Sequence, residues 1–320
     1  MIMKICATIV TYNRKECLDK LLNALSSQTY PIEKILIFDN NSSDGTVNYL
    51  ENTGFTVINN REELYPFDHK TKKIVIANDE NLGGSGGFAS VIDSAKVFDD
   101  IDTVWIMDDD VLPDKNCLEL LVQGMEDTGA SAVIPNRDGD NFKERVCYQI
   151  DFRSIMSYEP SSRKKFVARP FDEKYYQVDD MSFEGPLISM DILKKSGTPD
   201  SGYFLQYDDS DYARRVLKYT QIYFVTNANL HRQLSKLPEE NPKPKPYTWR
   251  DYYILRNNII FDRKFGLTKG VRIISPRLLL VRRLLSSIKN GFVKENFPII
   301  WKAYNDGIHH KMGKRMDPNY

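Results

Sequence analysis

Hydrophobic positions change their period repeatedly along the first 110 residues. KICATIV (4–10) is a β-rich apolar run that stops at Thr11-Tyr12-Asn13, and residues 14–27 then place Cys17, Leu18, Leu21, Leu22 and Leu25 at helical spacing. A second strand is predicted over 34–38. It ends at DNNSSDGT (39–46), where Ser42 or Ser43 is placed to cap a helix carrying Val47 and Leu50. Residues 55–58 and 73–77 read as further strands. NLGGSGGF (81–88) leads into a helix over 89–97, and 103–107 is another strand. Strands alternating with helices predict an α/β fold, a mostly parallel sheet flanked by helices. Ligands of such sheets bind beyond the carboxyl ends of the strands. Residues 11–14, 39–41, 81–87 and 108–110 all fall at those ends and are expected to converge on one cleft.

The pattern is weak over 137–174, where no element is assigned. Residues 177–189 regain strand character, 209–219 predict a helix and 221–225 a strand. PEENPKPKPY (238–247) is a proline-rich, extended linker. Two helices follow, over 248–265 and 276–290, the second with Ser275 as cap and Pro276 in its first turn. In that helix Leu280, Val281, Leu284, Leu285 and Ile288 share one side, with Arg282, Arg283 and Lys289 largely opposite. The expected organisation is an α/β domain over 1–237, with halves 1–110 and 111–237, followed by a linker and basic helical extension over 238–320.

At 41% hydrophobic and 28% charged residues the chain has apolar material for a sizeable core. Its four cysteines, Cys6, Cys17, Cys117 and Cys147, lie far apart without CxxC spacing, which points to reduced thiols rather than a disulfide framework or zinc site. No run approaches the roughly 18 apolar residues of a membrane span, and the first strand lacks a cleavage site. A cytoplasmic location is expected. The zero net charge conceals an asymmetry: residues 241–320 hold 17 Lys+Arg against 5 Asp+Glu, and the first 240 hold 27 against 39. Such a basic extension either packs on the acidic domain or contacts an anionic membrane surface, peripherally on the inner face. Nucleic acid is not an expected partner.

Asp108, Asp109 and Asp110 close the strand over 103–107. Adjacent like charges repel by about 4 kcal/mol at an effective dielectric of 20. Either the turn is simply solvated, or a hard cation such as Mg²⁺ or Mn²⁺ offsets the repulsion. The glycines around Ser85, Gly83 and Gly84 among them, let backbone approach a ligand closely, although GGSGG is not the GxGxxG spacing of a dinucleotide site. Asp208, Asp209 and Asp211 start a helix, where acids commonly serve only the helix dipole; alternatively one of them is a general base. His231, alone in its segment, carries no assignment by itself.

Taken in order, TYNR, DNNSSDGT, NLGGSGGF, MDDDV, FEGPLIS, QYDDSDYARR, LHRQ and WRDYYILRN resemble the family 2 glycosyltransferases of the GT-A fold, and within them the bacterial galactofuranosyltransferases. The likeness runs from residue 5 to about residue 258. It implies a Rossmann-like GT-A domain with the nucleotide-sugar half first and the acceptor half after the acidic motif. It also implies inverting transfer of galactofuranose from UDP-galactofuranose to a hydroxyl of a glycan, or lipid-linked glycan, acceptor. By resemblance, Thr11, Asn13 and Arg14 line the uridine and phosphate side. Asp39 meets the uridine, and Asn81 lies nearby with Gly83 and Gly84 under the sugar. Asp108 and Asp110 hold Mn²⁺ or Mg²⁺ with His231 completing the ligands, and Asp109 sits beside the donor. Asp209 is the base with Asp208 alongside. FEGPL lacks the paired tryptophans of the acceptor wall, which leaves acceptor identity and repeated addition open. Competing readings are a rhamnosyltransferase using dTDP-rhamnose, a sugar nucleotidyltransferase, and a non-catalytic glycan-binding module. The absence of glycine in TIVTYNRKEC opposes the nucleotidyltransferase.

Overall fold

In the computed structural model, residues 2–64, 71–142, 144–155, 163–235 and 243–317 are described. Strand β1 (Ile5–Thr11) is buried along its whole length, and a strand apolar on both faces belongs inside a parallel sheet. It pairs in parallel with β2 (Lys34–Asp39) on one side and β5 (Thr103–Asp108) on the other. Beyond β2 the sheet continues in parallel through β4 (Lys73–Ala77) to β3 (Thr56–Ile58). Helices α1 (Lys15–Ser26), α2 (Thr46–Asn52) and α3 (Gly83–Ala95) make the connections. The predicted alternation is therefore present, most ends shifting by one or two residues, but α3 begins at Gly83 rather than 89, so the glycine-rich run forms its first turns instead of a loop before it.

Beyond β5 the direction changes. β11 (Leu187–Ser189) runs antiparallel between β5 and β7 (Ala132–Asp138), β12 (Ile222–Arg232) is parallel to β7, and β10 (Tyr175–Val178) is an antiparallel edge. Short β6 (Val111–Pro113) pairs with β12, completing a ten-stranded sheet. The strand-like run over 177–189 is in fact two strands, β10 and β11. Asp179, Asp180 and the Gly185-Pro186 pair interrupt it, and the intervening residues border the cleft. In the unassigned region β8 (Cys147–Ile150) and β9 (Lys164–Phe166) form a separate antiparallel pair. Helices α4 (Cys117–Thr128), α5 (Met190–Ser196) and α6 (Asp208–Val216) complete this half.

Two hydrophobic cores cover the sheet's faces. A third lies under α7 (Trp249–Phe265), α8 (Ser275–Asn290) and α9 (Val293–Ile308), where Tyr252, Tyr253, Ile259, Leu279 and Ile300 pack with Phe204. The helical extension thus shares its core with the segment leading into α6. Of the proline-rich stretch, 238–242 lie outside the described residues, and 243–246 are exposed with neither helix nor strand.

Three local expectations change. Gly45, in left-handed conformation, precedes α2, and Asp44 accepts the Thr46 amide at 3.1 Å. Ser42 and Ser43 instead tie down Asn13: its amide donates to the Ser42 hydroxyl at 2.9 Å, and its Oδ1 accepts the Ser43 amide at 2.7 Å. Ser275 is not a cap, because a π-helical turn over Gly270–Ile274 runs directly into α8. The apolar side of α8 is also divided. Leu280 and Leu284 pack on the third core, whereas Val281, Leu285 and Ile288 face outward.

Candidate active site

The carboxyl ends of β1, β2, β4 and β5 open into one cleft of about 1240 Å³. Thr11, Asn13, Arg14, Asn81, Gly83, Gly84, Asp108, Asp109, Asp208 and Asp209 line it, whereas Asp39, Asp110 and His231 do not. Asp39 is buried behind the wall and accepts the Ser42 amide at 2.9 Å. Its neighbour Asn40, part of the 39–41 strand end expected at the cleft but given no role of its own, lines and shapes the wall. Asn40 Nδ2 donates to Asn81 Oδ1 (3.2 Å) and to the Gly83 carbonyl (3.1 Å), and its Oδ1 accepts the Leu82 amide (2.8 Å). The glycine-rich start of α3 is held close. A Cβ on Gly83, whose φ is +73°, would lie 2.3 Å from the Phe204 carbonyl oxygen, and one on Gly87 would lie 2.6 Å from Val10.

The three adjacent aspartates have different surroundings. Asp109 is buried and accepts from Thr11 Oγ1 (2.8 Å), the Tyr12 amide (3.3 Å) and Arg14 Nη1 (3.0 Å). Burial pushes its carboxyl up to about 6, against the opposing pull of Arg14. Arg14 Nη1 also reaches Asp110 at 3.2 Å. TYNR and MDDDV are thus one electrostatic unit. Asp108 and Asp110 come together with Glu184, each offering a carboxylate oxygen, all within 4.8 Å of one another. An all-oxygen donor set of this kind fits Mg²⁺ or Mn²⁺.

His231 is not brought to that cluster. Its Nε2 lies 2.9 Å from Asp114 Oδ1, and its strand pairs it with Leu112 and Asp138. Side chains alternate along a strand, so the next residue, Arg232, turns to the cleft and holds Glu184 at 2.7 Å, with Arg137 holding the other Glu184 oxygen at 2.7 Å. Glu184 falls within FEGPLIS, but nothing in its spacing ties it to residues 108–110. The sheet does so: β11 lies antiparallel beside β5 and returns residues 183–186 to the β5 end.

Across the cleft Asp208 and Asp209 open α6. Asp211, the third acid of the motif, is fully buried against Tyr203, Lys264 and Arg215 and does not line the cleft. Burial raises both Asp208 and Asp209. Asp209 is pushed up to about 8 by desolvation and then by the charges of Asp208 and Asp180, while Lys164 opposes the shift. Lys164, on β9, lines the cleft beside Asp180, its ion-pair partner. It lies in the stretch of weak hydrophobic pattern, and no sequence signal marks it.

The segment that presents these acids is strained and braced. Phe204, Gln206 and Tyr207 all have positive φ, +63°, +63° and +73°, costing about 1–3 kcal/mol each for side-chain-bearing residues. Such backbone persists only where its surroundings over-determine it. Buried Arg256 donates to the carbonyls of Gly202 (3.2 Å), Tyr203 (2.7 Å) and Gly313 (2.7 Å). Buried Asn257 donates to those of Tyr203 (3.0 Å), Leu205 (2.7 Å) and Gln206 (3.1 Å). Helix α7 is itself anchored by the capping box of Thr248 and Asp251 and by the buried Arg163–Asp262 pair. Its first turn also brings Trp249 and Arg250 to the cleft.

The sequence model of the family described as Glycosyl transferase family 2 matches residues 6–197. A galactofuranosyltransferase of Mycolicibacterium smegmatis, GlfT1, is 25% identical over 215 residues, covering 67% of this chain and 65% of that protein, just under two thirds of its length. Among solved structures, S. aureus TarS 1-349 in complex with UDP-GlcNAc superposes with a TM-score of 0.52 at 16% identity, covering 96% of this chain and 82% of that one. A mannosyltransferase from Pyrobaculum calidifontis in complex with GDP-Man and Mn²⁺ gives 0.54 at 14% identity, covering 96% and 88%. At these identities the structural likeness establishes the fold, which is GT-A.

Proposed function

The chain belongs to glycosyl transferase family 2, and from that premise we propose that it is an inverting, metal-dependent enzyme moving galactofuranose from UDP-galactofuranose to a hydroxyl of a surface-glycan acceptor. The observation that carries the mechanism is the pair of acidic groups at one cleft: Asp108 and Glu184 line one side with buried Asp110 beside them, and Asp208 and Asp209 line the other. The galactofuranose donor is supported by the resemblance to the Mycolicibacterium enzyme.

In this reading Asp108, Asp110 and Glu184 would hold Mn²⁺ or Mg²⁺, with Glu184 as third ligand in place of His231. The bound ion would offset charge developing on the departing diphosphate. Asn13, Arg14 and Asn81 border the nucleotide, and Asp39 and Asn40 set the loops that they stand on. The acceptor hydroxyl oxygen forms its bond to the anomeric carbon from the face opposite the diphosphate. The bond to the diphosphate oxygen breaks, UDP leaves with that electron pair, and Asp209 takes the hydroxyl proton. Trp249 offers a ring face for an acceptor sugar, a role that FEGPL does not fill. The nucleotide-sugar half is then 1–110 and the acceptor half 111–237, with α7 of the extension completing the acceptor wall.

A donor panel with Mn²⁺ and mixed acceptor sugars tests the reading. Acceptor-dependent UDP release from UDP-galactofuranose is expected. Release of dTDP from dTDP-rhamnose instead would transfer the assignment to rhamnose, and no release from any donor would leave a glycan-binding module. Asp209→Asn should keep donor affinity and lower kcat by about 10²- to 10⁴-fold. Near-normal turnover would move the base to Asp208.

A further inference from the structure

We propose that the outward face of α8 and α9 is a docking surface for an anionic lipid bilayer. The apolar arc of α8 is wider than its core contact uses. Leu279, Leu280 and Leu284 face the third core, while Leu278, Val281, Leu285 and Ile288 form a second row exposed to solvent, Leu285 and Ile288 at 60% and 61%. Helix α9, packed against α8, adds exposed Val293, Phe297 and Trp301 one turn apart. The Phe297 and Trp301 rings lie 6.3 Å apart and nearly parallel. Exposed large apolar side chains in continuous rows, unlike single ones, mark an interaction surface.

Charge selects the occupant. Residues 272–294 contain six basic side chains and no acidic one. On a helical wheel the outward row of α8 runs between Arg277 on one flank and Arg282 and Lys289 on the other, all exposed. Long cationic side chains beside an apolar row can leave their heads at phosphate level while their stems cover hydrocarbon, and tryptophan favours the same interface. A second copy of this chain suits the face poorly. Two-fold contacts are self-complementary, so each basic flank would meet cations of its partner. Glu295, exposed in the first turn of α9, is the nearby counter-charge. No helix among the described residues is long and apolar enough to cross a membrane, which makes this an interfacial contact. The inner side of α8 also reaches the cleft through Arg283, so the docked helix would border the path of an acceptor arriving from the membrane plane.

The test uses the full chain and vesicles of phosphatidylcholine with or without phosphatidylglycerol, read by cosedimentation. The protein should pellet with the anionic vesicles and be released by salt. Leu285→Gln, Ile288→Gln and Trp301→Gln together should abolish pelleting. Arg277→Gln, Lys289→Gln and Lys294→Gln together should weaken it by roughly a hundredfold, since each cation near such a surface contributes about a factor of five. Both variants should keep the wild-type circular dichroism and donor turnover with a water-soluble acceptor. Failure of the wild-type chain to pellet at low salt overturns the proposal. So does a wild-type dimer, seen by light scattering, that the apolar variant converts to monomer without any vesicle binding by the wild type. The readout needs no donor, so its failure is distinct from failure of the proposed activity.

Discussion

As the proposed base, Asp209 would take a proton only when ionised, and it sits where ionisation is resisted. Burial and the charges of Asp208 and Asp180 lift it to about 8. Below that pH the active fraction falls about tenfold per unit, so kcat/KM should rise with pH and level off above about 8. Lys164 holds the value down, and its loss also leaves Asp180 without its ammonium partner. Lys164→Met should therefore move the rising limb to higher pH; an unmoved limb would remove Asp209 from the role of base. The stability sign follows from the same shift. A carboxyl with a raised folded-state pKa contributes fully below its unfolded value and loses that contribution as pH rises through its folded value. The unliganded protein should lose stability progressively between about pH 4 and about pH 8 and level off above, and Asp209→Asn should flatten that slope. In the sequence Asp208, Asp209 and Asp211 were equivalent acids of a first helical turn. The ion pairs of Asp211 with Lys264 and Arg215 set it apart, and they come from the far end of α7 and from the next turn of α6.

Helix α7 does more than extend the chain. Arg256 and Asn257 satisfy the carbonyls of a segment whose backbone is held at positive φ, and that segment aims Asp208 and Asp209. Asn257→Ala would take this donor from the Leu205 and Gln206 carbonyls, while that of Tyr203 keeps Arg256, and each buried unsatisfied group costs about 1–3 kcal/mol. The expected result is a lower Tm and a kcat reduced about ten- to a hundredfold, since small misplacements at a reacting centre have effects of that size. Donor KM should change little. A fall in Tm without any change in kcat would reduce the clamp to a packing device. The Arg163–Asp262 pair is a separate anchor of the same helix. Both side chains are 1% exposed, so Asp262→Ala strands a buried guanidinium and should destabilise by about 3–5 kcal/mol in urea titration.

Over the whole molecule, the sheet gathers carboxylates from β5 and from the turn before β11 into one cluster and offsets them with Arg14, Arg137 and Arg232. A divalent ion bound there stabilises the native state by about 2.7 kcal/mol at a hundred times its Kd. Mn²⁺ should therefore raise Tm, EDTA should reverse the rise, and Asp108→Ala or Glu184→Ala should abolish it. His231→Ala should retain most of it. If His231→Ala alone abolishes the shift, the third ligand is the histidine after all.

The elements up to residue 110 were legible because hydrophobic period and strand-end motifs are local properties, and a parallel sheet places successive strand ends on one side. That is why residues 11–14, 81–84 and 108–109 could be assigned to one cleft from the sequence. The antiparallel return of β11, which delivers Glu184, and the alternation along β12, which turns Arg232 in and His231 away, depend on register between strands tens of residues apart. No short-range pattern encodes that register. The outward apolar row of α8 was visible as helical spacing, yet which leucines face the core was decided only by the seat of α7 and α9. The same holds for the bracing of Asp208 and Asp209: the motif was readable, but its support comes from residues some fifty positions later, brought beside it by the third core.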